Sequence, residues 1–305
     1  MLRVCTNELF VGNMICLFAP LSFMPEMPEV ETVRRGLVPH LVGRQITFVD
    51  LRREDLRFPF PEGFEEGLVD SRIEDIDRES KYLLIRLDNG NTWLSHLGMT
   101  GVWTINSDGN GKHDHVHIEF DNGALTATYS DHRRFGIMDL FPTNESRKHK
   151  LLASLGPEPL TKKFTLEALK AGLHGRRSPI KTSLLDQKIV SGLGNIYVSE
   201  ILHRSGISPK RTSADVAGKS SRINKAIERI YTQTNEVIAE AIRVGGSTIS
   251  DFRGVSGDDD LGYFPQQFTV FNRESEPCNR EGCNGTIRRI VQSGRSTFYC
   301  PRCQR

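Results

Sequence analysis

The chain has 305 residues, 37% of them apolar and 26% charged. That length suits two domains of about 100–200 residues each, and the composition excludes a collagen-like chain, a wholly disordered chain and a multi-pass membrane protein. The net charge of +2 hides an asymmetry: residues 1–160 hold 17 Lys+Arg against 24 Asp+Glu, whereas residues 161–305 hold 23 against 14, so a polyanionic partner is expected on the C-terminal half.

Residues 1–23 are apolar with one Arg and one Glu. The run from Leu9 to Phe23 falls short of the roughly 20 residues that span a bilayer. It lacks the basic start and small-residue cleavage site of a signal peptide. We read this stretch as a spurious or removable extension ahead of Met24. The segment Glu26 to Gly36 reads as a helix start, with Pro28 in the first turn and Glu29 and Glu31 at the positive end of the dipole. Val30, Val33 and Leu37 share its apolar face.

Residues 45–140 read as a mostly antiparallel β domain. Ile46–Leu51, Tyr82–Leu87, Thr92–His96, His115–Phe120 and Leu125–Tyr129 are β-rich runs, and Asp-Asn-Gly turns stand at 88–90 and 121–123. The Leu155–Pro159 segment, with two prolines and a glycine, is the expected linker. Beyond it the period becomes helical. Thr165 caps one helix, and Ser178 caps another with Pro179 as its first residue. Gly192-Leu193-Gly194-Asn195 breaks that helix and opens the next. A long helix carries Ile223, Ile227, Ile230, Val237, Ile238 and Ile242 on one face and ends at Gly245-Gly246. Residues 251–263 read as a loop, and the tail returns to short strands.

Four of the six cysteines fall in that tail. Cys278-x4-Cys283 and Cys300-x2-Cys303 are two short knuckles, the layout of a four-thiolate zinc site. The competing reading is two disulfides or free thiols. A short tail buries little core, so one structural Zn2+ is expected to hold it folded, in a reducing compartment. Arg288, Arg289 and Arg295 make the hairpin between the knuckles basic, as in fingers that touch nucleic acid.

With the tail in hand, Met24-Pro25-Glu26-Met27-Pro28-Glu29-Val30-Glu31-Thr32 resembles the amino terminus of the formamidopyrimidine-DNA glycosylase family. The resemblance continues in order through Ser80-Lys81-Tyr82-Leu83-Leu84, Ser95-His96-Leu97-Gly98-Met99-Thr100-Gly101, Lys112–Val116 and Asp131–Gly136. It then takes in Leu155–Leu160, Leu185–Lys188, Gly192–Tyr197, Gly262-Tyr263-Phe264 and Arg295–Cys300. Any one motif is weak, but the ordered set is specific, and residues 1–23 fall outside it. The resemblance implies an α+β chain: an N-terminal antiparallel β-sandwich with a flanking helix (25–143), a linker (144–160), a helix–two-turn–helix domain (161–270) and a four-cysteine zinc finger (271–305). It implies a bifunctional DNA glycosylase and abasic-site lyase of base-excision repair. The partner is duplex DNA carrying oxidised purines or abasic sites, and the protein a monomer in the cytoplasm.

The resemblance also implies roles. Pro25 matches the nucleophile, an N-terminal secondary amine that forms an iminium with the sugar. An amide nitrogen cannot do so, since its lone pair is delocalised. That chemistry is the reason for placing the start of the working chain at Pro25. Read alone, Pro25 is a helix-start proline. Glu26 matches the general acid, Lys81 the lysine of β-elimination and Arg295 the arginine of δ-elimination. Met99, Arg133 and Phe135 match the wedge that fills the duplex after a base is flipped out; alone, Met99 and Phe135 read as core. His113, Arg133 and Arg177 match DNA-binding positions, and Lys181 and Asn195 match phosphate contacts, the latter at a helix start whose free N–H groups suit phosphate. Cys278, Cys283, Cys300 and Cys303 hold the zinc. Residues 254–263, with Asp258-Asp259-Asp260, match the loop that closes over the damaged base. Two alternatives stay open. An endonuclease VIII-like enzyme for oxidised pyrimidines has Gly where Met27 stands and resembles Arg133-Arg134-Phe135 less well. A non-catalytic, damage-binding zinc protein is favoured if the extension is retained.

Overall fold

The computed structural model describes residues 24–246 and 268–305; the extension before Met24, the expected 251–263 loop and its three aspartates lie outside the described residues. Helix α1 (Met27–Leu41) opens the chain, with Pro28 in its first turn. Strands β1 (Ile46–Leu51), β2 (Ile73–Glu79), β3 (Tyr82–Leu87), β4 (Asn91–His96), β5 (Val102–Ile105), β6 (Asp114–Phe120), β7 (Leu125–Ser130) and β8 (Ile137–Pro142) follow, with a short helix α2 (Phe64–Leu68) after β1. They form two four-stranded antiparallel sheets, ordered β1-β6-β7-β5 and β2-β3-β4-β8. Between them Trp93 packs edge-on against Trp103, with ring centroids 5.4 Å apart, and Tyr129 lies against Trp103. Both Asp-Asn-Gly turns close hairpins, with Gly90 and Gly123 at φ of +83°, where a side chain would be strained.

Strand β2 went unread in the sequence. Five of its seven residues, Glu74, Asp75, Asp77, Arg78 and Glu79, are charged, which depresses strand propensity. Its two apolar residues stand three apart, yet both are fully buried. The register shift between Ile73 and Asp75 explains this: an extra residue in one strand resets which face the next side chains take.

A 3-10 helix (Thr143–Lys148) leads into the linker, and the helical part follows as α3 (Leu166–Leu173), α4 (Ile180–Leu184), α5 (Asn195–Ser205), α6 (Ser213–Ala217) and α7 (Lys225–Arg243). Thr165 caps α3 as expected, accepting from the Ala168 N–H at 3.1 Å. The next start is shifted by one. Pro179 is the cap of α4, and Ser178 instead pairs its hydroxyl with Ser183. Helix α4 is also a single turn that ends before the Gly192–Asn195 segment rather than at it. Asn224 caps α7, whose buried face carries Ile227, Ile230, Val237 and Ile238; Ile223 packs on the core from just outside the helix. Gly245 and Gly246 follow the helix at φ of +84° and +91°.

The tail forms the hairpin β9 (Arg288–Gln292) and β10 (Arg295–Tyr299). Ile287 and Phe298 belong to the same apolar cluster as Ile201, Leu202 and Ile238, so hairpin and helices share one core. Helix α1 joins the two halves. Its Met27 belongs to the helical core, while Val30, Val33 and Leu37 belong to the sandwich core. Among the described residues no helix is long and apolar enough to cross a membrane.

Candidate active site

The centre lies where α1, the β2–β3 turn, the start of α5 and β10 meet. Pro25 is buried at the entry to α1. Glu26 follows it, 2% exposed. Its carboxylate accepts the backbone N–H of Ile196 at 2.9 Å and of Tyr197 at 3.4 Å. These are orphan donors of the first turn of α5, so Glu26 sits at the positive end of that helix. Two of the N–H groups at this helix start, those of Ile196 and Tyr197, are therefore taken by an internal carboxylate. Gly194 is required for the approach, since a Cβ there would stand 2.3 Å from the Glu26 carboxyl carbon.

Burial pushes the Glu26 carboxyl up to about 7, aided by the nearby Glu29 charge. Lys81 and the two α5 N–H groups pull the other way and do not outweigh it. Lys81 follows Ser80, whose φ of +58° marks the tight β2–β3 turn. Burial lowers the Lys81 ammonium, Glu26 raises it and Arg295 lowers it further. Arg295 is exposed at the start of β10. Lys181, expected among the phosphate contacts, is 1% exposed and donates to the Ser296 carbonyl at 2.8 Å and the Thr297 hydroxyl at 2.7 Å. In this structure it ties α4 to β10, the strand that presents Arg295. Burial brings it down to about 7, and Arg295 adds to that. Asn195 is the first residue of α5, and its Oδ1 is buried with no hydrogen-bond partner among the described residues.

The structure thus brings Glu26, Lys81, Lys181 and Arg295 within electrostatic reach of one another beside Pro25. Sequence reasoning missed several members of this group. Glu29 accepts from the Tyr197 hydroxyl at 2.6 Å and from the Glu26 N–H at 2.9 Å; its place in the Pro-Glu motif suggested only a dipole role. His96 lies beside Lys81 and Arg57, and burial with those two charges drives its ring down to about 3, a neutral imidazole.

Met99, Arg133 and Phe135 occupy two adjoining loops apart from this group. Phe135 is 39% exposed, contrary to a core role, and the Arg133 guanidinium lies over its ring at 4.9 Å. His113 is exposed on the same side, its ring 6.1 Å from His132. Arg177 is exposed just before α4.

The four cysteines converge in the tail, every pair of their sulfurs within 4.8 Å. Cys278 and Cys303 stand 3.8 Å apart, and Cys283 and Cys300 3.7 Å. A disulfide needs about 2.05 Å, whereas a tetrahedron of Zn–S bonds near 2.3 Å puts sulfurs about 3.8 Å apart. The residues fit one structural zinc ion. Gly285 makes room, for a Cβ there would meet the Cys300 sulfur at 2.5 Å. The His203 ring, on α5, lies 3.3 Å from Cys278 Sγ and 2.9 Å from the Thr269 hydroxyl, and Thr269 is bonded in turn to Glu200. Such outer contacts hold metal-binding thiolates in place, and here they join the finger to α5.

Three family models match the chain in order: the formamidopyrimidine-DNA glycosylase N-terminal domain over residues 24–138, its H2TH domain over 155–253, and a zinc finger found in FPG and IleRS over 275–305. These define a class built from a sandwich, a helical DNA-binding module and a zinc finger. The chain belongs to the formamidopyrimidine-DNA glycosylase family. The formamidopyrimidine-DNA glycosylases of Ruegeria pomeroyi and Azorhizobium caulinodans are 49% and 48% identical to it, each covering 92% of this chain and 100% of its own length. Among solved structures, the Lactococcus lactis protein bound to abasic-site DNA is 30% identical with a TM-score of 0.82, and the Thermus thermophilus protein 35% identical with a TM-score of 0.79. Each covers 92% of this chain.

Proposed function

We propose that this chain is a base-excision DNA repair enzyme, a bifunctional glycosylase and abasic-site lyase that removes oxidised purines such as 8-oxoguanine and formamidopyrimidines. The observation that carries the catalytic reading is the buried Glu26 carboxyl, held near 7 beside Pro25 and Lys81. An acid poised near neutrality can both give and take a proton. In this reading the Pro25 amine attacks the sugar C1′, the glycosidic bond to the base breaks, and Glu26 protonates the ring oxygen as the sugar opens to an iminium. Loss of the C2′ proton then expels the 3′ phosphate, and loss of the C4′ proton expels the 5′ phosphate. Lys81, a buried lysine whose ammonium is already lowered, serves β-elimination. Arg295, the exposed cation at the start of β10, serves δ-elimination in this reading by pairing with the DNA phosphates. Zinc, when bound, supplies a crosslink that sets β10, and all proton transfers belong to side chains.

Met99, Arg133 and Phe135 form the wedge, and His113, Arg177 and Asn195 the DNA-binding set. The partner is duplex DNA bearing oxidised bases or abasic sites, the protein acts as a monomer, and the location is the cytoplasm, on the nucleoid. Support for a purine substrate comes from Met27 and from the Arg133-Arg134-Phe135 segment, which suit endonuclease VIII less well.

The test is borohydride trapping on a duplex with one 8-oxoguanine opposite cytosine. A chain beginning at Pro25 should yield a covalent adduct, and the chain carrying residues 1–24 should not, because its Pro25 nitrogen is an amide. No adduct from a folded, zinc-loaded chain beginning at Pro25 sinks the catalytic reading for this lesion.

A further inference from the structure

Asp131 is completely buried, yet it stands immediately before the exposed loop that carries Arg133 and Phe135. One carboxylate oxygen accepts from the Thr100 hydroxyl and from the Arg133 N–H at 3.3 Å. The other accepts from the Gly136 N–H at 2.8 Å, with the Tyr129 hydroxyl 3.5 Å away. One side chain therefore grips the Met99–Thr100 loop and both ends of the Arg133–Phe135 segment. The packing beneath is tight. A Cβ on Gly98 would stand 2.4 Å from the Phe135 carbonyl carbon, and Cβ atoms on Gly101 and Gly136 would stand 2.1 Å and 2.0 Å from the Tyr129 hydroxyl. Burial holds the Tyr129 phenol well above its ordinary range, so its one O–H remains a donor, with the Leu97 carbonyl at 3.3 Å and the Asp131 carboxylate at 3.5 Å as its acceptors.

We infer that Asp131 is the positioning residue of the base-flipping wedge: its carboxylate locks two separate loops into one rigid insert that enters the gap left by the extruded base. The inference rests on the wedge reading of Met99, Arg133 and Phe135. The physical reason is that unstacking a base step costs a few kcal/mol, which mobile loops would recover poorly because ordering them has its own entropic cost. Asn cannot replace Asp here. Its amide presents one acceptor and one donor group, so either Gly136 or the Thr100–Arg133 pair would face a donor.

The experiment measures binding by the full zinc-loaded chain to a duplex with a tetrahydrofuran abasic analogue and to the same duplex undamaged. A fluorescent purine opposite the gap reports insertion. Asp131→Asn should lose about tenfold in preference for the abasic duplex, one buried hydrogen bond's worth. Affinity for undamaged DNA, set by phosphate contacts, should stay unchanged, and the fluorescence change should shrink. Thr100→Val removes the hydroxyl that donates to Asp131 and accepts the Arg133 N–H at 3.2 Å, with no change of shape; it should give a loss in the same direction and decides the matter if Asp131→Asn does not fold. The double substitution Met99→Ala, Phe135→Ala tests the wedge itself: if it keeps full preference, the wedge reading fails. If it loses preference while Asp131→Asn and Thr100→Val keep it, or if these lose both affinities equally, the positioning role is overturned.

Discussion

Glu26 is where opposing effects on a single carboxyl are most sharply balanced. Two helix N–H groups and Lys81 favour its charged form, and burial outweighs them, leaving it near 7. The acid is competent below that value and is lost as pH rises through it. An N-terminal amine, ordinarily near 8, becomes a nucleophile only as pH rises. A bell-shaped dependence of excision rate on pH is therefore expected. Glu26→Gln should cut single-turnover excision by about 10²–10⁴-fold and remove the Glu26 limb of that bell. Stability gives a second readout. Because the folded value is raised above the unfolded one, the folded state holds a proton that the unfolded chain releases, so this group's contribution is fully present below about 4.5 and lost as pH rises to about 7. The melting temperature of Glu26→Gln should gain on that of the parent across this interval. Unchanged differences in melting temperature would refute the burial argument. The residues proposed to carry the chemistry, Pro25, Glu26, Lys81 and Arg295, were legible from ordered motifs through the family resemblance. What Glu26 touches was not, because its partners lie 170 residues along the chain. Lys181 shows the same limit: the family resemblance implies a phosphate contact, and only the fold reveals that it donates to the Ser296 carbonyl and the Thr297 hydroxyl.

Among the elements, the β2–β3 turn owes its place to an ion-pair bridge. Arg78 donates to Glu31 of α1 at 3.2 Å and to Glu158 of the linker at 2.6 Å, and Glu158 also accepts the Ser80 N–H at 2.6 Å. Three segments are thus fastened around the residue that precedes Lys81. Both Arg78 and Glu158 are nearly buried, at 10% and 13% side-chain exposure. Glu158→Gln should cost about 3 kcal/mol, the scale for breaking a buried pair from one side, as read by denaturant unfolding. It should also slow strand cleavage at a preformed abasic site, by displacing Lys81. Sequence reading caught the linker by its prolines and glycine but had no means to see its glutamate as a fastener. It found five of the eight sandwich strands by their β-rich composition, with β5 and β8 left unnamed, and the long amphipathic helix because its period matches its burial. It missed β2, where charge and a bulge erase the period, and misplaced the α4 cap because two adjacent residues, Ser178 and Pro179, each fit a helix start.

At the scale of the molecule, the finger and the helices act as one body. Their apolar side chains form a single cluster, and Lys181, His203 and Gln304 bond across the boundary. Removing zinc with a chelator should therefore do more than unfold the hairpin. Loss of β10 frees Lys181 and withdraws Arg295, so DNA affinity and strand cleavage should both fall, while the sandwich keeps its β-sheet circular dichroism. Retention of cleavage by the metal-free chain would show that the finger is dispensable to the centre. The family resemblance implied a finger that returns to the active site. The shared core supplies the physical means, through contacts that no local pattern could have announced.

The Glu26 carboxylate seated on the start of α5 also has a consequence for the chain as it is synthesised. Pro25 and Glu26 leave the ribosome early, and Arg295 emerges almost last. Domains fold largely as they appear, so the sandwich can be complete while its acid still lacks the helix that buries it. Until α5 arrives, the two N–H groups that donate to that carboxylate do not exist. A nascent chain that stops short of α5 thereby lacks the partners of its Glu26 carboxylate, and one that stops short of β10 lacks Arg295 as well.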